Sequence, residues 1–151
     1  MIHLWVISSQ GEFDLIMDAA GFWVRLGAAI VDGIFITIVL GFAGLLLYNQ
    51  FFIEGYSFID ILSIMYYLLL PIFWYGYTVG KKALGIRIAR VDGEKLGFGT
   101  MFMREVVANL VYVLTFGIGI IISAFMVCIR NDKRSIHDLI AGTYVTYDDP
   151  F

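Results

Sequence analysis

Arg25 and Asp32 stand seven residues apart in otherwise apolar sequence, and no further charge follows between Gly33 and Ile53. A charge held in hydrocarbon costs roughly 3 kcal/mol or more, so such residues persist for pairing or for ion and proton traffic. Seven residues of helix rise about 10 Å and turn through almost two full turns. The two charges therefore share a face but lie too far apart to pair easily. Helical side chains lean toward the N-terminus, so Arg25 leans away from Asp32. Arg25 is expected to snorkel to the cytoplasmic interface. Asp32 cannot do so, and needs a partner from another element or must stay protonated.

Partners for Asp32 are available elsewhere. Arg104-Glu105 opens the third apolar segment, with Asn109 four residues beyond Glu105, and Lys133-Arg134-Ser135-Ile136-His137-Asp138 adds a polar cluster near the C-terminus. Two readings of these residues stand side by side. In one, Asp32 alternately binds a proton and a monovalent cation, with oxygens of Asn109 or Thr37 assisting, since a hard cation prefers oxygen ligands. In the other, an Asp32–Arg104 or an Asp138–Arg25 pair fixes helix packing, a role that buried ion pairs play in some proteins. Asp60 reads as an ordinary acid at a helix start.

Catalysis fits these residues poorly. His137 and Asp138 are adjacent, and Ser135 is the only hydroxyl near them. His3, His137 and Cys128 lack the spacing of a zinc site, and Gly80-Lys81-Lys82 lacks the preceding glycine of a P-loop. No enzyme activity, metal, cofactor or nucleic-acid partner is expected. Cys128 falls in an apolar helix, which predicts a buried, inert thiol.

The elements that must position these groups are membrane-like. Of 151 residues, 60% are hydrophobic and only 15% charged, where a soluble domain carries about a quarter charged. The charge-free runs Gly33–Ile53, Ile61–Gly80 and Val106–Ile129 are each near the roughly 20 residues that a helix needs to cross a bilayer. The first span is expected from Phe22 to Tyr48, with Trp23 and Tyr48 at headgroup level. The second is expected from Phe58 to Val79, kinked at Pro71, with Tyr66, Tyr67, Trp74, Tyr75 and Tyr77 clustered around the kink for packing and anchoring. No Lys or Arg occurs between Leu26 and Gly80, whereas Lys81, Lys82, Arg87, Arg90 and Lys95 follow closely. By the positive-inside rule this basic loop and the N-terminus are cytoplasmic. Met1–Ala20 lacks the features of a secretory signal and is expected to lie at the interface.

The partial alternation over Ile86–Val91 has a strand period, and Asp92-Gly93 is a turn signal. Together they predict a small cytoplasmic β-hairpin with Lys95–Phe98 as its return strand. Gly142–Tyr147 has strand composition and could add a third strand. That strand joins the hairpin only if the chain turns back near Phe116-Gly117-Ile118-Gly119, making Met101–Thr115 and Ile118–Ile129 two short helices of a re-entrant hairpin, backbone tolerated only where protein or water satisfies it. The expected fold is thus an all-α membrane protein of three to four membrane helices, the last apolar segment a re-entrant helical hairpin, with a small cytoplasmic β-hairpin. Residues 1–20 form an N-terminal segment, 21–147 one membrane domain and 148–151 a tail. Gly27, Gly33, Gly41 and Gly44 are read as sites of close helix approach.

Three blocks, in order, resemble the RDD family of small bacterial membrane proteins, named for one arginine and two aspartates. They are Phe22-Trp23-Val24-Arg25-Leu26 with Asp32, Thr78-Val79-Gly80-Lys81-Lys82-Ala83-Leu84-Gly85-Ile86-Arg87-Ile88, and Arg134-Ser135-Ile136-His137-Asp138-Leu139-Ile140-Ala141-Gly142-Thr143. The resemblance covers about Gly21–Val145 and implies a multi-pass protein of the cell membrane. Transport of unknown ligands, including Na⁺/H⁺ exchange, is what it implies about activity.

Two functions are therefore expected to compete. The first is a small homo-oligomeric ion-coupled transporter or Na⁺/H⁺ exchanger working through Arg25, Asp32, Arg104, Asn109 and Asp138. The second is a non-transporting adaptor or assembly module acting through the basic loop Lys81, Lys82, Arg87 and Arg90. Those bases would also attract anionic lipid, by about 1 kcal/mol each near the surface.

Overall fold

The computed structural model describes residues 18–51 and 58–147. The expectations for Met1–Met17, for residues 52–57 and for the tail beyond Tyr147 lie outside the described residues.

Helix α1, Phe22–Tyr48, starts after Gly21 in extended conformation and stops where Asn49 adopts a left-handed conformation. Its bounds are those the apolar run predicts. Few of its residues are buried, among them Ala28 and Asp32, while Ile34, Ile38, Phe42 and Leu46 face outward. A helix that is apolar all round and still exposed suits a lipid environment. Its mean hydropathy of 2.4 over an 18-residue window makes it the one described helix long and apolar enough to cross a bilayer unaided.

Helix α2, Phe58–Phe73, carries Pro71 in its last turn. The helix ends there instead of kinking and continuing to Val79. The chain exits through Tyr75 and Gly76, both at positive φ, and Gly76 N–H caps Pro71 O at 2.7 Å. Gly76 then meets the extended segment around Ile88: its carbonyl accepts from Ile88 N at 2.9 Å, and a Cβ on it would come within 2.0 Å of Ile88 O. A new short helix α3, Val79–Ala83, begins behind Thr78, whose hydroxyl accepts from Lys81 N. It packs along α1.

Strand β1, Arg87–Arg90, pairs antiparallel with β2, Thr143–Thr146, in the register Arg87↔Thr146 to Arg90↔Thr143. The expected local hairpin is corrected here. Asp92-Gly93 does make a turn, with Gly93 N donating to Arg90 O at 3.2 Å, but Lys95–Phe98 forms no return strand. The C-terminal segment takes that place, because Ile88 and Val145 can then be buried together with Ile86, Ala20 and Met101. Each fully buried aliphatic contributes about 1.5–3 kcal/mol, which a solvated two-strand ribbon would forgo. On the other edge of β2, Ala19 bridges Thr146 and Ala20 N donates to Val145 O at 2.8 Å.

Between the strands the chain forms two apolar arms. Helix α4, Phe98–Leu114, is interrupted by a π-helical turn over Met103–Val107. Helix α5, Ile118–Ile129, leaves it at a bend of 119°. Phe116 and Gly117, both at positive φ, make the corner, close to where the glycines predict it. Helix α6, Ile136–Ala141, starts with a capping box between Ser135 and Asp138 and ends at left-handed Gly142. Cys128 is exposed on α5 and not buried as expected, because α5 offers its apolar surface outward and not to a core.

Candidate functional site: two carboxylate knots around a cavity

The sequence-predicted charges form two separate knots. Asp138 is fully buried and holds the first. Arg25 Nη1 donates to its Oδ2 at 2.6 Å, and Arg104 Nη1 donates to its Oδ1. Ser135 completes the shell with its amide at 3.1 Å and its hydroxyl at 2.8 Å from Oδ2. Arg104 also donates to Thr143 Oγ1 at 2.6 Å, which ties α4 to β2. Burial by itself would push the Asp138 carboxyl up, but Arg104 and Arg25 beside it outweigh that and hold it below the ordinary carboxylate range.

Arg25 does not snorkel into water. Its Nε donates to Ala20 O at 2.9 Å and its Nη2 to Lys133 O at 2.7 Å. Three acceptors from three chain segments fill the planar guanidinium, a geometry that an ammonium cannot copy.

Asp32 holds the second knot, and its partners differ from the expected ones. Tyr66 Oη donates to Oδ1 at 2.7 Å, Thr78 Oγ1 to Oδ2 at 2.5 Å and Gly80 N to Oδ1 at 2.7 Å. Lys81 Nζ stands 3.9 Å from Oδ2. Arg104 goes to Asp138 instead, because its helix faces α6. Asn109 and Thr37 are exposed and take no part. A shell of hydroxyl, amide and ammonium donors satisfies the Asp32 carboxylate from all sides.

The basic loop is divided in its use. Lys81 turns toward Asp32, whereas Lys82 is exposed and lies over the Tyr77 ring at 4.1 Å. Arg87 and Arg90 stand at the two ends of β1, and Arg90 pairs with Asp92 and with Glu94.

A cavity of about 390 Å³ opens between the knots, with Arg25, Lys81, Arg104 and Glu105 in its wall. Glu105, to which the sequence reading assigns no role, sits on the π-helical turn, a feature frequent at functional sites. Its closest cation is Arg104, Nε to Oε1 at 3.7 Å, and among the described residues nothing donates a hydrogen bond to it. The same wall carries Tyr112, whose hydroxyl contacts His137 Nδ1 at 2.8 Å and donates to Ser123 at 3.1 Å. Burial, then Arg104, pushes the His137 imidazole down to about 3, so it is neutral at physiological pH.

Sequence reasoning also missed Tyr66, Thr78, Ser135 and Thr143. The signal for Ser135 was present, as a serine three residues before Asp138 at a helix start. Tyr66 reads as a packing residue in the sequence, and nothing local marks its hydroxyl.

An arginine and two buried aspartates fastening helices around a small antiparallel sheet define a charge-tied helical module. The chain belongs to the RDD family, whose model matches residues 19–142. It is 48% identical to the uncharacterized protein YckC of Bacillus subtilis over 89% of either chain. It is also 29% identical to the uncharacterized membrane protein YteJ of the same organism, over 94% of this chain and 90% of the relative. No solved structure matches.

Proposed function

We propose that this protein is a multi-pass, ion-coupled membrane transporter whose exchangeable group is Glu105. The observation that carries the reading is the contrast among its carboxylates. Asp32 and Asp138 are closed in by donors, whereas Glu105 faces a cavity with a single ion pair at 3.7 Å. A carboxyl with open lone pairs beside such a cavity is the one that can take up and release a proton, and ionisable groups at membrane depth mark ion pathways. The aspartates then act as fixed ties that hold the cavity's shape. Under this reading α1 and α2 cross the bilayer, α4 and α5 are re-entrant, the N-terminus and basic loop are cytoplasmic, and a homo-oligomer supplies the rest of the pathway.

Proton flux in proteoliposomes tests it, with wild type compared to Glu105→Gln. Loss of flux in a folded Glu105→Gln protein is the expected outcome. Flux unchanged in that variant, or absent from well-folded wild type, overturns the proposal.

A second reading, a membrane adaptor, draws support from a groove of about 510 Å³ lined by Arg87, Arg90, Lys95 and Tyr75. It requires that charge reversal at Lys82 and Lys95 weaken partner or anionic-lipid binding while Glu105→Gln leaves it intact.

A further inference from the structure

The wall of the 390 Å³ cavity is richer in positive than in negative groups, since Arg25, Lys81 and Arg104 line it while Asp32 and Asp138 do not. The two aspartates stand behind their cations, at zero exposure. Lys81 Nζ keeps only a long contact to Thr78 Oγ1, 3.4 Å, besides the 3.9 Å separation from Asp32. Arg104 uses Nη1 for Asp138 and Thr143. Its Nη2 has no acceptor among the described residues, yet it is not sealed in, because no buried side-chain nitrogen or oxygen lacks a partner. Donors from α3 and α4 thus face the same space.

Glu105 is the negative group in that space and sits beside Arg104. Its carboxylate stands where an oxyanion would stand if it came from outside. Beside these charges and the polar Tyr112, Ser123 and His137, the wall carries an apolar part that includes Leu26, Ala29, Ile120 and Ala124. A volume of this size accommodates a small organic ligand.

We infer that the cavity is a binding site for an amphipathic oxyanion, a carboxylate or phosphate carried on an apolar body, and that Glu105 occupies its place until it is protonated. The inference rests on the transport reading and names its co-substrate. With Glu105 ionised, Lys81 and Arg104 are already neutralised from within and an arriving anion meets like charge. With Glu105 protonated, Arg25, Lys81 and Arg104 are offset only by Asp138 and Asp32 behind them, and the net positive charge left at the cavity accepts the anion. One proton and one anion are then taken up together. The charged and titratable groups around Glu105 are Arg104 and Tyr112 on its own helix, Lys81 on α3, Tyr67 on α2, Arg25 on α1, and His137 and Asp138 on α6. Of these, His137 is neutral at physiological pH, and Asp138 stays ionised between its arginines.

Equilibrium binding of benzoate to the purified full chain in neutral-lipid nanodiscs tests this without any flux measurement, so that failure here and failure of transport are distinguishable. Benzoate is ionised throughout the range used. Wild type should bind it more tightly at about pH 5.5 than at about pH 7.5, by up to tenfold per pH unit as for one linked proton. Glu105→Gln should bind with the tighter affinity at either pH. Lys81→Met should weaken binding at least about tenfold, the effect of losing one charge-assisted contact, which also separates the site from partition into lipid. Inorganic phosphate should bind more weakly than benzoate, since it leaves the apolar wall uncovered. If adding phosphatidylglycerol to the nanodisc displaces benzoate, the oxyanion is a lipid headgroup; if it does not, the oxyanion is a free solute. Benzoate binding that is independent of pH in wild type, or lost in a folded Glu105→Gln protein, overturns the inference.

Discussion

Gly80 lies so close to Asp32 that its amide donates to Oδ1 at 2.7 Å, and a Cβ placed on it would come within 2.1 Å of the Ala28 carbonyl oxygen. The absence of a side chain is therefore what allows α3 to seat against α1. Of the glycines read as points of close approach, Gly33 meets open space, Gly27 meets only the tip of Leu84, and Gly41 is closely covered by the Phe51 ring and not by a neighbouring helix. The decisive glycine is on the other helix.

Gly80→Ala should lower stability by about 1–3 kcal/mol, the usual range for overpacking, and reduce the yield of folded protein. Gly33→Ala, at an open position of α1, should be nearly neutral. Thermal unfolding of both variants in one detergent measures the difference, and equal melting temperatures would refute the assignment.

Tyr66→Phe keeps the edge-on ring contact with Tyr67 but removes the hydroxyl that donates to Asp32 and accepts from Val79 N at 3.0 Å. The expected loss is about 1–3 kcal/mol, because a buried acceptor and a buried donor are both left short. Phe35→Leu removes the other ring beside Tyr66 and leaves the knot intact. It should cost less, as a volume-changing but apolar swap.

Asp138→Asn leaves two arginines facing a neutral amide, and breaking a buried pair in this way costs about 3–5 kcal/mol. The variant should fail to accumulate. The pH dependence follows from the direction of the shift. The folded carboxyl is a stronger acid than its unfolded reference of 3.8, so its stabilisation is complete above that value and is lost as pH falls from there toward the folded one. Arg25→Lys should be destabilising although charge is kept, since one ammonium cannot reach Ala20 O, Lys133 O and Asp138 together.

His137 supplies a second acid-sensitive window at higher pH. Its imidazole is held at about 3 against an ordinary 6.5, mainly by burial and then by Arg104. Between those values the unfolded chain takes up a proton that the folded chain refuses. Stability therefore declines as pH falls through that range, by at most about 1.4 kcal/mol per pH unit. His137→Asn retains a polar partner for Tyr112 without a titrating ring, and its melting temperature should fall less between about pH 6.5 and about pH 4.5. An identical decline in the two proteins would mean that His137 is not the group concerned.

Charges in apolar sequence are conspicuous, which is why Arg25, Asp32, Arg104 and Asp138 were legible in the sequence. Their pairing was not. Whether Arg104 reaches Asp32 or Asp138 depends on which helix packs against which, and α6 claims Arg104 through a contact 34 residues distant in sequence. Hydroxyls such as those of Tyr66, Thr78 and Thr143 carry no local mark, because in a membrane-like sequence they look like packing residues. The bounds of α1 followed directly from its apolar run. The sheet did not, since Asp92-Gly93 favours a local ribbon while burial of Ile88 and Val145 favours a partner more than fifty residues away.

The bond from Ala20 N to Val145 O bears on parity. A chain whose two described ends are pinned to each other enters and leaves any bilayer on the same side, so the number of crossings between them is even. Under the proposed reading, in which α1 and α2 cross the bilayer, the arms α4 and α5 contribute either none or a matched pair. Reporters fused to the two ends should then always register the same compartment, and a split reading from them would mean that the pin is broken in the membrane.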